Sequence, residues 1–331
     1  MNTPVEAPAS QPVTRQSFLR KLGGRLQPHA NAFAIANIVA QVGIIVTGGL
    51  VRLTGSGLGC STWPLCEPGQ FTPEFHSAAS YHPFVEFGNR TLTGVLTLIA
   101  VLLVLSVVFD QSRTRTIRRM VWLPLIGIAV QAVLGGITVL VDLHPTVVAS
   151  HMAISVMLVA VSTLVQYRLS PRPRDGVTGI SPWVTQWAWI LVSLLIPVIV
   201  MGVIVTGSGP HSGDTEVGYR LDFDPMAITK IHALFVWIFV AALIVVAVGL
   251  LVMNRKTPHA VSRAQLNGVW WLFAVTIIQA FIGYYQTFNG LPIAAVALHM
   301  FGAGIMTVAT IRLILLITTP VVSDRPSTVD A

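Results

Sequence analysis

Charged residues are scarce in this chain of 331 residues: only 10% are Asp, Glu, Lys or Arg, while 53% are hydrophobic. Soluble domains usually carry about 25% charged residues. The shortage extends along the whole sequence, so it excludes an ordinary soluble domain and indicates a membrane protein in contact with lipid. The formal net charge of +7 does not indicate nucleic-acid binding, because the basic residues lie in short connections between apolar segments.

Cysteine is equally scarce, with Cys60 and Cys66 the only two in the sequence. Two cysteines with no histidine between them make a poor zinc site. They lie in a loop that we expect on the oxidising side of a membrane, which predicts a disulfide bond. A redox role for the pair is the functional alternative.

Eight apolar stretches are long enough to cross a bilayer, since a spanning helix needs about 20 residues. The sequence therefore predicts an all-α integral membrane protein. Basic residues are concentrated in the connections on the side of both termini, and only Arg52, Arg90, Arg220 and Lys230 lie toward the other side. This asymmetry predicts cytoplasmic termini in the cell membrane. The predicted spans are 32–51, 84–109, 120–141, 147–167, 187–206, 227–252, 268–287 and 294–317.

Two halves of the sequence resemble each other. The segment GIIVTG at 43–48 is repeated as GVIVTG at 202–207, and QAVLG from Gln131 is repeated as QAFIG from Gln279. A His-Met pair follows each glutamine at the same spacing. We interpret this as a parallel duplication of four-helix bundles. The predicted division is a flexible tail over 1–28, halves over 29–168 and 187–318, a linker over 169–186 and a second tail over 319–331.

Polar residues recur near the outer start of the even-numbered spans: Asn89, His151, His232 and His299. An ionisable residue inside a span is costly and marks a candidate functional site. Two facing histidines in a helix bundle are the usual way to hold a b-type haem. The pattern therefore favours His232 and His299 as haem ligands near the outer face. The alternative is that each histidine only forms hydrogen bonds between helices.

Glu86 is the only glutamate inside a predicted span. It shares a helix face with Asn89 and lies four residues before Arg90. A structural ion pair with Arg90 is one interpretation. A carboxylate that takes part in chemistry is the other. The guanidinium groups of Arg52 and Arg90 suit the propionates of a haem.

The stretch GGLVRLTGSGLGCSTWPLC at 48–66 resembles the first helix and outer loop of the haem A synthase family. The segment EFGNR at 86–90 resembles that family's Glu-x-x-His-Arg motif, with Asn89 where the family has histidine. His151, His232 and His299 fall where the family has its other ligand histidines. The resemblance covers about residues 31–317.

The resemblance implies oxidation of a methyl group of haem O to the formyl group of haem A, for terminal oxidases of the haem-copper type. It implies a haem b cofactor on His232 and His299, His151 as ligand of the substrate haem, and Glu86 as the catalytic carboxylate. Implied partners are haem O synthase and oxidase assembly factors, together with an unidentified electron acceptor.

Two other functions use the same residues. A membrane cytochrome b would only transfer electrons, and a haem transporter or chaperone would line a path with them. Asn89 leaves the first-half haem with three possible states: five-coordinate on His151 alone, ligated by another residue such as His82, or bound only in transit. An amide is a poor iron ligand beside imidazole. The first state is our prediction, because a substrate must also leave and a single histidine holds it less tightly than two.

Overall fold

The computed structural model describes residues 15–74, 80–170, 180–214 and 216–319. The regular elements in these ranges are ten α-helices and one short 3-10 turn, Gln27–His29. The helices are α1 (Arg15–Leu26), α2 (Ala30–Leu53), α3 (His82–Val108), α4 (Arg115–Met120), α5 (Trp122–Leu140), α6 (Pro145–Leu169), α7 (Pro182–Ser208), α8 (Pro225–Lys256), α9 (Arg263–Phe288) and α10 (Ile293–Thr318).

Eight of these helices are long and apolar enough to cross a membrane, which confirms the predicted spans. Local signals explain where several of them begin. Pro145, Pro182 and Pro225 occupy the first position of α6, α7 and α8, where proline removes no helical hydrogen bond. Ser262 forms a capping box at the start of α9, with its hydroxyl and the side chain of Gln265 bonding each other's backbone N–H.

Helix α1 lies inside the segment that the sequence predicted to be a flexible tail. Its Gly23 packs against α3, where an added Cβ would lie 2.7 Å from the Leu105 carbonyl oxygen and 2.9 Å from the Phe109 ring. This close approach holds α1 against α3, so the described part of 1–28 is helical. The prediction of a flexible tail for residues 1–14 falls outside the described residues.

The halves meet along α2 and α6 on one side and α7 and α10 on the other. Two glycines permit the close approach of α2 and α10: Gly49 lies against the Met300 sulfur, and Gly304 against Val42. The Tyr167 hydroxyl of α6 donates to the Leu315 carbonyl of α10 at 3.1 Å. Because the spans alternate in direction, the bundle has two ends. We call them the loop face, with the connections after α2 and α7, and the terminus face, with residues 15 and 319.

Candidate functional site

His232 of α8 and His299 of α10 face each other in the second half. Their ring centroids lie 6.5 Å apart and the ring planes are inclined by 78°. Each residue is two turns into its helix, about 10 Å from the loop face at 1.5 Å per residue. The predicted pair is therefore brought together at one depth.

A glycine from a neighbouring helix lies against each of these rings. An added Cβ would lie 3.3 Å from His232 Cε1 at Gly202, and 3.3 Å from His299 Cε1 at Gly283. In the first half, Gly135 stands in the same relation to His151, at 3.4 Å. The Gly135–His151 and Gly283–His299 contacts join repeat-related residues, which supports the interpretation of a duplication.

The histidine pair has the dimensions needed to hold a haem. Two imidazoles on opposite sides of an iron have ring centres about 6 Å apart, from two iron–nitrogen bonds of about 2 Å and the distance from each nitrogen to its ring centre. The observed 6.5 Å agrees with this spacing. The Nδ1 atoms of His151 and His299 are buried with no hydrogen-bond partner in the described part of the chain. Such atoms usually have one, so the donor set fits a bound group.

The described ranges contain no cluster of three or more His, Cys, Asp or Glu side chains that could hold a bare metal ion. A haem makes no such demand on the protein, because the porphyrin supplies four nitrogens and leaves only the axial positions. The two-histidine arrangement therefore suits a haem better than a protein-only metal site.

In the first half, the Thr47 hydroxyl donates to Asn89 Oδ1 at 2.8 Å. This bond turns the Asn89 amide toward Gly48, whose added Cβ would lie 3.8 Å from Asn89 Nδ2. Gly43, the repeat counterpart of Gly202, has open space where Gly202 meets a histidine ring. His232 of the second half therefore has no histidine counterpart in the first half, where Asn89 occupies the equivalent place. Sequence reasoning missed Thr47, although its place in the repeated GxxVTG segment was a usable signal.

Glu86 is 5% exposed and holds the loop after α2. Its Oε2 accepts the Cys60 backbone N–H at 2.7 Å, and its Oε1 accepts Arg90 Nε at 3.0 Å. Arg90 Nη1 in turn donates to the carbonyls of Thr62 and Leu65, at 2.9 and 3.1 Å. Glu86 and Arg90 therefore form the predicted ion pair, and together they fasten the loop to α3.

Cys60 and Cys66 form the predicted disulfide bond, and both are fully buried. Between them, the Trp63 indole packs against Gly136 of α5 so closely that an added Cβ would overlap it. Gly136 follows Gly135, the residue that contacts His151. The loop thus closes the first half beside its histidine.

His82, the alternative ligand considered from the sequence, lies at the first position of α3 and contacts this loop. The Ser56 hydroxyl and His82 Nδ1 form a hydrogen bond of 2.8 Å. An added Cβ at Gly59 would overlap the His82 backbone. These contacts give His82 a structural partner above the bundle.

Arg52 joins the two halves at the loop face. Its Nε donates to the His211 carbonyl at 2.9 Å and its Nη2 to the Thr206 carbonyl at 3.0 Å. Beside it, the Gly57 N–H donates to the Gly213 carbonyl at 2.8 Å. The predicted propionate contacts of Arg52 and Arg90 stay predictions, because both guanidinium groups donate to protein oxygens here.

The sequence profile of the family described as cytochrome oxidase assembly protein matches residues 31–311. The chain is 26% identical over 284 residues to the haem A synthase of Bacillus pumilus, covering 78% of this chain and 85% of that protein. It is 23% identical over 282 residues to the haem A synthase of Lysinibacillus sphaericus, covering 81% and 88%. The matched region reaches into all eight spans and contains both sets of polar residues, although it ends at residue 311, inside α10.

Proposed function

The chain belongs to the cytochrome oxidase assembly protein family, and we propose that it acts there as a haem A synthase, an oxidoreductase whose substrate is haem O. The reaction converts a methyl group into a formyl group, which adds one oxygen atom and removes two hydrogen atoms. With water as the source of the oxygen atom, four protons and four electrons are released, so the reaction needs an electron acceptor outside the described residues.

The facing pair His232 and His299 carries this proposal. Their 6.5 Å separation suits two axial ligands of one haem b. A haem b bound there supplies one-electron transfer. The protein presents the two imidazoles from α8 and α10, and Gly202 and Gly283 lie against the rings. The apolar helices around the pair exclude bulk water.

The first half receives the substrate in this proposal. His151 is the single histidine at the matching depth, and Asn89 is held by Thr47 rather than directed as a second imidazole. One strong axial ligand retains a haem less firmly than two, which suits a substrate that must leave after reaction. The space beside Gly43 supports an open position on that side.

Glu86 is the proposed catalytic carboxylate, which accepts a proton or stabilises positive charge on the substrate. One of its oxygens accepts the Cys60 N–H of the loop and the other pairs with Arg90 of α3, so this role requires one contact to loosen during turnover. The Cys60 N–H is a neutral donor whereas the Arg90 guanidinium is a cationic one, so the Cys60 bond is the weaker of the two. The loop, fastened by Glu86, then also covers the substrate.

The terminus face is the cytoplasmic face in this proposal, because the basic connections lie there. Both haem sites then lie toward the outer side of a bacterial cell membrane. Haem O synthase, as the supplier of substrate, and assembly factors of haem-copper oxidases are the proposed partners.

Mass analysis of haems extracted from the purified protein tests the function. Protein supplied with haem O should yield haem A or its hydroxylated precursor, and His232→Ala should yield neither. His29→Ala is the matched control, since His29 is exposed near the terminus face. Recovery of only haem b and unchanged haem O from well-folded wild type supplied with haem O and an electron acceptor contradicts the proposal.

A cytochrome b that only transfers electrons is the second candidate. The observation that favours it is the closed ion pair of Glu86, which leaves no free carboxylate at the first-half site. The same extraction separates the two, because an electron carrier leaves haem O unchanged.

A further inference from the structure

A cavity of about 480 Å³ opens at the terminus face, at the opposite end of the bundle from the histidines. It lies where α6 of the first half meets α9 and α10 of the second. Its polar lining includes Arg312, Asn267 and Tyr167, and its apolar lining includes Trp271 and Leu316. Its volume is within the range of small-molecule sites, about 300–1,000 Å³. The proposed synthase reaction makes no use of it.

Arg312 is a charge inside an apolar helix. It lies six residues before the end of α10, about 9 Å from that end at 1.5 Å per residue. A charge in this position is costly unless it has a partner or marks a ligand. Across the described ranges, Arg312 forms no hydrogen bond or ion pair with the protein, and its side chain is exposed to the cavity.

Among the described residues, no carboxylate lines the cavity around Arg312. Asp110 is the one acidic residue at the terminus face in the described part of the chain, and it bonds Ser112 and Arg113 beside α4. Tyr167 already donates its hydroxyl to the Leu315 carbonyl. The side chains left to meet a ligand are therefore the donors of Arg312 and the amide of Asn267, which together favour an anion.

The repeat shows that this charge is specific to the second half. The spacing that relates His299 to His151 relates Arg312 to Leu164, an apolar residue. An arginine that only anchors a span at the membrane interface does not require a cavity, whereas Arg312 lines one. Trp271, 57% exposed at the same depth, is the residue type that marks the boundary between headgroups and acyl chains.

We propose that this cavity binds the phosphate group of an anionic phospholipid, with the Arg312 guanidinium on the phosphate and Trp271 and Leu316 along the acyl chains. A guanidinium fork matches phosphate oxygens, and basic pockets between spans at the cytoplasmic side suit anionic headgroups. Such a lipid contacts α6, α9 and α10 at once. It joins the halves at the terminus face, as Arg52 joins them at the loop face.

Native mass spectrometry of the detergent-purified full chain tests this site, with palmitoyl-oleoyl phosphatidylglycerol as the probe and the phosphatidylcholine of the same chains as the comparison. Wild type should retain one phosphatidylglycerol in preference to phosphatidylcholine. Arg312→Gln should weaken that binding about fivefold or more. Arg168→Gln is the matched control, because Arg168 is exposed at the end of α6 outside the cavity lining, and it should leave the binding within about twofold.

Equal retention of the two lipids by wild type overturns the proposal, as does full phosphatidylglycerol binding by Arg312→Gln. Displacement of the lipid by millimolar inorganic phosphate assigns the site to free phosphate and also overturns it. Arg312→Lys keeps the charge without the guanidinium fork, so its affinity for phosphatidylglycerol should lie between those of wild type and Arg312→Gln. This variant provides a second test if Arg312→Gln folds poorly. Haem A formation by Arg312→Gln distinguishes this site from the synthase proposal, since the two can fail independently.

Discussion

Replacing Glu86 by Gln separates the two roles that its position supports. The variant keeps the side chain's shape, and its amide oxygen can still accept the Cys60 N–H. Its NH₂ group, however, then faces the Arg90 guanidinium, so two donors meet where an ion pair stood. The perturbation therefore removes the charge and the bonds to Arg90 while it leaves the backbone contact intact.

The size of the effect follows from the burial of the pair. Removing one partner of a buried ion pair costs about 3–5 kcal/mol. Arg90 retains its bonds to the Thr62 and Leu65 carbonyls, so we expect the lower end, about 3 kcal/mol. That loss shifts the docked loop toward its open state by roughly a hundredfold, at 1.4 kcal/mol for each factor of ten. The helical core takes no part, so haem content should stay unchanged.

The assay combines haem A formation with the visible spectrum and the rate of proteolysis in the loop. Glu86→Gln should retain its haem, lose haem A formation and expose the loop. Glu216→Gln is the matched control, since it removes an exposed carboxylate at the same face. Arg90→Gln breaks the same pair but keeps the carboxylate. If it opens the loop and still forms haem A, the carboxylate itself serves the chemistry. A well-folded and active Glu86→Gln variant refutes the catalytic role.

Three further predictions concern the other site residues. His232→Ala and His299→Ala should each remove or convert one b-type spectral component, and an unchanged spectrum in both contradicts the assigned ligands. Asn89→His should convert a high-spin component of the substrate-loaded protein to low spin, and two fully low-spin haems in wild type would contradict a five-coordinate site. Cys60 and Cys66 should resist thiol labelling until reductant is added, with little change in global stability because the closed loop is short; ready labelling of the oxidised protein contradicts the bridge.

The spans were predictable because the bilayer imposes one strong rule. Each crossing needs about 20 apolar residues with internally bonded backbone, and all eight stretches satisfied it. The boundaries were less predictable. Helix α8 runs to Lys256, past its predicted end, because basic side chains continue a helix beyond the apolar core. Helix α1 was missed because its polar sequence has no apolar run, and it is held by packing at Gly23 instead.

The site was predictable only as far as the repeat and the residue types reached. Matched spacing placed His232 and His299 together. Two contacts could not be predicted: the hydrogen bond of Asn89 with Thr47, and those of Arg52 with the carbonyls of the second half. They join helices that are distant in sequence, and a single sequence carries no local signal for such contacts. The ion pair of Glu86 was predictable from its spacing to Arg90. The additional hydrogen bond from the Cys60 N–H to Glu86 was not, because it depends on the fold of the loop.

The difference between the two halves is what a duplicated bundle needs if it keeps one haem and turns over another. The second half holds its two histidines between glycines, and the described part of its loop includes no counterpart of the disulfide over the first. The first half has one histidine, an amide turned aside by Thr47, and a covering loop fastened by one ion pair. Each of these differences would weaken the retention of a haem in the first half or add a contact of the loop that can open. These differences fit the proposed function, in which the second half retains a cofactor haem and the first half, with Asn89 in place of a second imidazole, releases its product.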